Sequence, residues 1–446
     1  MEYRVSKYTY QFVSSRNDYL LYCSNSNSFI KLTSDLYDFL KECKEDYNLI
    51  NELDNHLIDL LKENKIIVLE NEDSDYLLKQ QFNENLSAFS SSSLGLVLVP
   101  TLGCNFDCPY CFEIGKKGKR MSDTVIEDII TFITKHKNIN DLNITWYGGE
   151  PLLAFDLIQK ILHKIIHDIS IPIKRHTIVT NGYFFTQKTI NFFKSFPLNS
   201  IQITLDGNKQ RHNNIRKQKK TGEGSFDRIM NNMDNILKEL PDTHLSVRIN
   251  IEKENIQDYF DLHAQLSTRW KSAKVSIYPG FLRIDNEDGT ALSCSAIDRW
   301  DANEMNFNLI KDGISYETPY PRLQSSRGCC ATVVNSYIIG PEGEIYKCWN
   351  DVSDERRIIG YINQENLINP SLFYRYMIRS KWYHNEECIH CFFLPICQGI
   401  CAYYRLRNQH ENGKYLLCQC MHKTPDLLNK SLEYWFYNQN HKSERL

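Results

Sequence analysis

No stretch of this chain approaches the roughly 18 uninterrupted apolar residues of a membrane span. The N-terminus, Met1-Glu-Tyr-Arg-Val-Ser-Lys7, lacks the apolar core of a secretory signal. Charge of one sign is missing too: 52 Lys and Arg against 55 Asp and Glu leave a formal net charge of −3. That is too small for a field that would gather nucleic acid or an anionic membrane, so neither is expected as a partner. The 13 histidines include no HExxH pair, and none is assigned to a metal. Cysteine, in contrast, is plentiful. Fifteen of them, an odd number, in a chain without an export signal argue for thiolate ligation rather than a disulfide framework. The expected location is the cytoplasm. A length of 446 residues gives room for two or three domains, each with its own core.

Residues 1–86 hold no cysteine cluster and read as a small, winged-helix-like α/β module. Two β-rich runs, Tyr8–Val13 and Tyr19–Cys23, precede a helix opened by Ser34 with Leu36, Phe39 and Leu40 on one face. A second helix is expected near Leu49–Glu63 and a closing strand at Lys65–Leu69. Cys23 and Cys43 read as small core hydrophobes. The serine-rich end of Asn83–Ser93 reads as a linker, assigned to residues 87–93. From Leu94 the pattern becomes strand–helix repetition. Strands are expected at Leu94–Pro100, Leu142–Tyr147, His176–Thr180, Ile201–Leu205, Leu245–Asn250 and Lys274–Tyr278. Helices are expected at Ser122–Lys137, Leu153–Ile169, Gln187–Lys194, Phe226–Leu240 and Ile256–Trp270. Such alternation means a parallel sheet with crossover helices, here an open, partial (β/α)6 barrel over 94–324. Residues 325–446 lose the repeat and regain cysteines, as a loop-rich domain built around metal would.

Chemistry-bearing motifs fall at the C-terminal ends of the expected strands, where barrel active sites gather. The first strand delivers Cys104, Cys108 and Cys111, spaced C-x3-C-x2-C. The second ends in Trp146-Tyr-Gly-Gly-Glu-Pro151, the third in Thr180-Asn-Gly182 and the fourth in Thr204-Leu-Asp-Gly207; the fifth carries Val247-Arg-Ile-Asn250. Glycines let backbone approach a ligand, and nearby carbonyl or carboxylate groups can receive an ammonium group. Three close thiolates can hold three irons of a cubane cluster and leave the fourth iron open. The spacing also suits a zinc knuckle, although zinc wants four closing ligands. Singly, each glycine motif is an ordinary strand-ending turn.

Taken in order over roughly residues 94–280, these motifs resemble the radical S-adenosylmethionine (SAM) enzymes. The resemblance implies that the open iron chelates SAM and that one electron from the cluster cleaves it to a 5′-deoxyadenosyl radical. It implies that Gly148, Gly149 and Glu150 receive the SAM amino group, and that Tyr110 or its backbone flanks the adenine. Thr204 and Arg216 become candidates for the SAM carboxylate and ribose. Arg216 belongs to His212-Asn-Asn-Ile-Arg216, followed by Gly222-Glu-Gly-Ser-Phe226, which looks like the peptide-modifying branch. Taken alone, Arg216 reads as a solvated loop arginine.

The C-terminal run Cys388-x2-Cys391-x5-Cys397-x3-Cys401 follows Gly343-x4-Cys348 and the pair Cys329–Cys330, and precedes Cys418 and Cys420. This is similar to the SPASM pattern, which implies two auxiliary [4Fe–4S] clusters and three in all; zinc-ribbon sites are the plain alternative. The resemblance assigns Cys329 or Cys330, Cys348 and Cys401 to one cluster. It assigns Cys388, Cys391, Cys397 and either Cys418 or Cys420 to the other, with Cys329 and Cys420 favoured in the two pairs. A fourth ligand for the first cluster stays open among the 329/330 pair, Cys294 and none.

Two branches of this family fit. One matures ribosomally made peptides, with a leader-bearing precursor as substrate and a crosslink or thioether as product. The other converts a sulfatase Ser or Cys to formylglycine. In that second branch an Asp commonly follows the cysteine of the G-x4-C element, whereas Trp349 follows Cys348 here. The long N-terminal module also suits a peptide maturase, where it would take the leader as an added strand; a structural cap is the alternative. A flavodoxin- or ferredoxin-like donor is implied. Asp351, Glu150 and the substrate itself are all candidate bases, and the catalytic base stays unassigned.

Overall fold

Tyr19-Leu-Leu-Tyr-Cys23 is apolar at five successive positions. A strand alternates its side chains between two faces, so both faces here need cover. The computed structural model describes residues 2–111, 118–271, 273–282, 299–314, 329–397, 399, 401–415, 417–418 and 424–443, and these fall into two units. The first comprises 2–88, 299–314 and the described residues from 379 onward. Its strands are β1 (Tyr3–Val5), β2 (Thr9–Val13), β3 (Tyr19–Cys23), β4 (Ser28–Leu32) and β5 (Ile67–Leu69). β2, β3 and β4 form an antiparallel meander, and β1 pairs antiparallel with β5. Helices α1 (Ser34–Glu45), α2 (Asn55–Glu63) and α3 (Glu72–Ala88) follow the meander. Thr33 and Asp54 cap the first two by accepting the backbone N–H of Leu36 and Leu57.

Leu21 and Cys23 of β3 share a core with Leu40 and Cys43 of α1 and Leu61 of α2. On the other face, Leu20 and Tyr22 pack with Phe393, Ile396 and with Leu428, Leu432 and Trp435 of the helix Pro425–Ser443. Both faces of β3 are therefore sealed, one by residues far along the chain. For that reason the segment from 379 groups with the N-terminal strands, while 329–378 groups with the barrel. The observed grouping thus differs from a single domain over 325–446. Strands β1 and β4 add to those expected. Helix α3 runs to Ala88, which leaves only residues 89–92 irregular before the barrel.

In the second unit six parallel strands stand side by side in chain order: β6 (Ser93–Leu98), β7 (Asp141–Trp146), β8 (Ile173–Thr180), β9 (Ser200–Leu205), β10 (His244–Ile251) and β11 (Val275–Phe281). Helices α4 (Asp123–Lys135), α5 (Phe155–Asp168), α6 (Gln187–Ser195), α7 (Lys209–Ile215), α8 (Phe226–Glu239) and α9 (Ile256–Arg269) make the crossovers. All six expected strands and five expected helices are present; α7 was not anticipated. The sheet continues past β6 with β12 (Ser336–Ile339), parallel to it, then β13 (Glu344–Tyr346) and β14 (Gly360–Tyr361), both antiparallel to their neighbours. The result is the open, partial barrel anticipated from the repeat. Along β9, Ile201, Ile203 and Leu205 are wholly buried on one face, while Gln202 and Thr204 occupy the other. No helix among the described residues is long and apolar enough to cross a membrane.

One buried histidine makes this barrel sensitive to acid. His176 on β8 accepts from the Trp146 indole at Nε2, 2.8 Å away, and its Nδ1 lies 3.1 Å from the Pro197 carbonyl. Those partners suit the neutral ring alone. Burial, opposed by the carbonyls of Pro197 and Phe196, lowers its pKa to about 4. The unfolded chain takes up this proton near pH 6.5 and the folded chain does not. Stability from this group is therefore complete above pH 6.5 and lost as pH falls toward 4, by about 3 kcal/mol. Chemical denaturation of the wild type and of His176→Asn at pH 7.5 and 5.0 checks this, since the variant should lose that part of the pH dependence.

Candidate active site at the C-terminal ends of the barrel strands

The loop after β6 is pinned before it reaches its cysteines. Thr101 Oγ1 and the Leu102 N–H both donate to the Lys119 carbonyl, each at 2.9 Å, and Met121 N–H returns to Pro100 at 3.0 Å. Phe106 is buried, edge-on to Tyr183 at 5.8 Å, and its N–H points at Cys104 Sγ, 3.4 Å away. Cys108 is buried, and Cys104 and Cys111 are half-buried. Burial pushes the Cys104 thiol up to about 12, and Glu150, Cys108 and Cys111 add to the rise. Thiolates here need a positively charged partner to form.

The turn after β7 lies against this loop. Gly149 N–H donates to Thr101 O at 3.2 Å and Glu150 N–H to Gly103 O at 2.8 Å. A side chain on Gly149 would overlap the Gly103 and Leu102 carbonyls, and one on Gly148, at φ 126°, the Thr101 carbonyl. The two glycines therefore exist for close approach to the cysteine loop. Glu150 is wholly buried. Its carboxylate accepts from Thr180 Oγ1 (2.7 Å), Asn181 N–H (2.7 Å) and Leu152 N–H (2.9 Å). Burial lifts its pKa to about 7 against those hydrogen bonds and the Arg216 charge. The three bonds hold this buried carboxylate in place and fix the turn's backbone beside the cysteine loop.

Tyr110 and Arg216 meet in one buried network, so Arg216 is not the solvated loop arginine that its local sequence suggests. The Tyr110 hydroxyl donates to Asp206, 2.7 Å away, and accepts from Arg216 Nη2 (2.9 Å) and Asn250 Nδ2 (3.1 Å). Arg216 is buried, not solvated, and its Nε pairs with the Asp206 carboxylate. Asn250 donates to Asp206 as well, at 2.9 Å. Burial would raise the Asp206 carboxyl, but the Arg216 charge and the hydrogen bonds from Tyr110, Arg216 and Asn250 hold it below the usual carboxylate range. One buried network thus joins the cysteine loop to the ends of β9 and β10. It engages the Tyr110 hydroxyl and the Nε and Nη2 of Arg216. Thr204, on β9, lies in register with Arg248 of β10. Asp206 and Asn250 stood inside motifs without a role of their own; alternate polar residues along β9 (Gln202, Thr204, Asp206) were the available signal.

The remaining cysteines divide between the units. In the second, Cys329 is exposed, Cys330 half-buried and Cys348 buried. The Trp349 indole N–H donates to Cys330 Sγ at 3.2 Å, and its ring meets that of Tyr147 at 4.5 Å. Asp351 is wholly buried beneath the Tyr376 hydroxyl (2.8 Å), with Arg357 Nε at 3.9 Å. In the first unit, burial raises Cys388 to about 11, eased by Arg405 and increased by Cys397, Cys391 and Cys418, so these four thiols lie within electrostatic reach of Cys388 or are it. Arg405 is wholly buried, with Nη1 on the Ser380 carbonyl at 3.0 Å and Nη2 3.9 Å from Cys388 Sγ. Cys401 is exposed at the start of the helix Ala402–His410. Cys294 and Cys420 lie outside the described residues.

Among the described residues no three His, Cys, Asp or Glu side chains are arranged for a single metal ion. The donor set of the barrel loop suits a cubane instead, with three thiols and a free fourth position. Among the described residues, the buried polar atoms without a partner include Asn105 Nδ2, Gln218 Nε2, Arg248 Nε and Asn250 Oδ1. Buried groups of this kind call for a polar ligand, as SAM is.

A family model described as the Radical SAM superfamily matches residues 98–266. The chain is 24% identical over 441 residues to the radical SAM cyclopropyl synthase TigE of Paramaledivibacter caminithermalis, covering 90% of this chain and 89% of that protein. It is 22% identical over 379 residues to the serine-type anaerobic sulfatase-maturating enzyme of Bacteroides thetaiotaomicron, covering 72% and 86%. Its fold is similar to that of Streptococcus suis SuiB bound to precursor peptide SuiA, with TM-score 0.51 and 16% identity, over 93% of this chain and 98% of that one.

Proposed function

This chain carries a radical SAM domain, and from that premise we propose that it is a radical SAM–SPASM peptide maturase, an oxidoreductase acting on a ribosomally made precursor peptide. Coverage carries the reading. The likenesses to TigE and SuiB take in 90% and 93% of the chain, and the sulfatase-maturating relative 72%. The larger shares suit a working N-terminal module as well as a barrel. Trp349 after Cys348, and the burial of Asp351 under Tyr376, leave no acid offered at the place where the sulfatase branch carries one.

Cys104, Cys108 and Cys111 would hold a [4Fe–4S] cluster, which with SAM would supply radical abstraction of one hydrogen atom from the substrate. The chain's own part is placement and charge. The Gly148–Glu150 backbone receives the SAM amino group, with Thr204 toward the ribose. Tyr110, tied to Asp206, Arg216 and Asn250, holds the cysteine loop in a fixed relation to the barrel wall. Cys329 or Cys330, with Cys348, would ligate one auxiliary [4Fe–4S] cluster. Cys388, Cys391 and Cys397, with Cys418 or Cys420, would hold a second. Arg405 beside Cys388, and the Trp349 N–H on Cys330, favour negative charge on sulfur. Clusters held there would supply an acceptor for the second electron, and with a proton lost to solvent the peptide would be two hydrogens lighter once its new bond closes. β2 and β4 are the edges of their sheet, and the leader adds to one of them by main-chain hydrogen bonds. A flavodoxin- or ferredoxin-like protein in the cytoplasm delivers the reducing electron.

The test is anaerobic co-expression with the short peptides encoded beside the gene, read by intact mass, with a Cys104→Ala/Cys108→Ala/Cys111→Ala control. Loss of two hydrogens from one peptide, absent in the control, is expected, and fragmentation then locates the bond. Unchanged masses for every neighbour, from enzyme that still cleaves SAM, would overturn the reading and turn the search to sulfatase-derived Ser or Cys peptides.

A further inference from the structure

Two arginines lie near the C-terminal ends of the later strands, Arg248 on β10 and Arg216 at the end of α7, and their situations are opposite. Arg216 is met by Asp206. Among the described residues no hydrogen bond or ion pair holds the Arg248 guanidinium, and its Nε is buried without a partner. Strand alternation explains its direction. Leu245, Val247 and Ile249 of β10 are wholly buried on one face, so Arg248 and Asn250 share the other, in register with Thr204 of β9 and with Tyr278 and Gly280 of β11. A side chain at Gly280 would overlap Arg248 Nε and crowd Asn250 Oδ1. The guanidinium therefore runs toward the C-terminal mouth and leans on β11, in space that only glycine leaves free.

Asn250 supplies the second observation. Its Nδ2 is committed to Tyr110 and Asp206, which orients the amide, and its Oδ1 is buried without a donor. A cation and an unmet acceptor stand together on the wall of the site, where unmet buried groups are costly. We propose that Arg248 forms a subsite for a carboxylate of the substrate peptide and that Asn250 Oδ1 accepts a peptide N–H beside it, so that the modified segment carries an Asp or Glu side chain, or its own C-terminus, beside the reacting carbon. This rests on the peptide-maturase reading. The carboxylate of SAM is the competing occupant, and geometry disfavours it. In SAM the ammonium and carboxylate share one carbon. With the ammonium at the turn after β7, the carboxylate stays near that turn. β10 is three strand spacings away, about 14 Å along the sheet, and Arg248 leans further, toward β11.

The experiment is a double-mutant cycle on whichever peptide the wild type converts. Arg248→Gln should raise the KM for peptide about tenfold or more, as loss of a charge-assisted pair does. The KM for SAM should stay within about twofold on the same scale. Each Asp and Glu of the peptide is changed to its amide, and the C-terminus is amidated. One of these changes should cost the wild type as much as Arg248→Gln costs, and cost the variant nothing more. Full additivity at every acid would overturn the subsite. So would a rise in the KM for SAM equal to that for peptide, which would assign Arg248 to the SAM carboxylate. If the wild type converts no peptide, the maturase reading has failed, and the subsite is read directly. Saturation-transfer NMR of N-acetylaspartate methylamide on the cluster-loaded, SAM-bound protein then decides. Signal lost in Arg248→Gln supports the site, and equal signal, or none from the wild type, rejects it.

Discussion

Replacing Cys104, Cys108 and Cys111 together by alanine should reduce 5′-deoxyadenosine formation from SAM to background and remove about four irons per chain. The fold should survive. What pins the loop is the Thr101 and Leu102 bonds to Lys119, buried Phe106 and the Tyr110 network, none of which uses a thiol. Iron at the C-terminal cysteines should stay, because those side chains belong to other segments. Chromatography of the SAM products, iron analysis and EPR of the reduced protein separate these outcomes. Undiminished SAM cleavage would move the radical chemistry away from this loop.

The second large effect concerns stability. Arg216→Met strands the Asp206 carboxylate in a buried position, and Asp206→Asn strands the Arg216 guanidinium. Breaking a buried pair from either side costs about 3–5 kcal/mol, because the partner's charge stays behind. With both changes made, no net charge is left unmatched, so the double variant should be far more stable than the sum of the singles implies. Urea denaturation of all four proteins measures the coupling. Additive losses would mean that Asp206 and Arg216 do not depend on one another. Each single variant should also load the barrel cluster poorly, since Tyr110 loses a partner that ties the cysteine loop to β9.

The barrel was legible because its two periods differ. Apolar runs of five to seven residues alternate with helical patterns, and the observed strand ends fall within about three residues of those expected. Strands β12, β13 and β14 were not legible. They are four, three and two residues long and lie among cysteines and turns, too short for any period to show. The identity of the motif residues was legible and their roles were less so. In Arg211-His-Asn-Asn-Ile-Arg216-Lys-Gln-Lys-Lys220 nothing local marks which base turns inward; Arg216 does so because Asp206 waits at the end of β9. Glu150 stood out because a carboxylate beside glycines can receive an ammonium group, and only the folded chain shows that Thr180, Asn181 and Leu152 hold it in place. The cover over β3 was half legible. Five apolar residues in a row announce two buried faces, but not that the helix Pro425–Ser443 would supply one of them.

The parallel pairing of Ser336–Ile339 with Gly95–Leu98 bears on how this protein can be taken apart. A shortened chain that ends after its sixth barrel strand would bare the β6 edge, in the strand that leads to Cys104. Bare edges recruit strands from other molecules, so such a fragment would be prone to clump rather than to work as a portable radical generator. Exchanging tails between relatives meets the same obstacle. The seam to respect lies beyond β14, where the sheet has closed its own flank, and not at the last repeat.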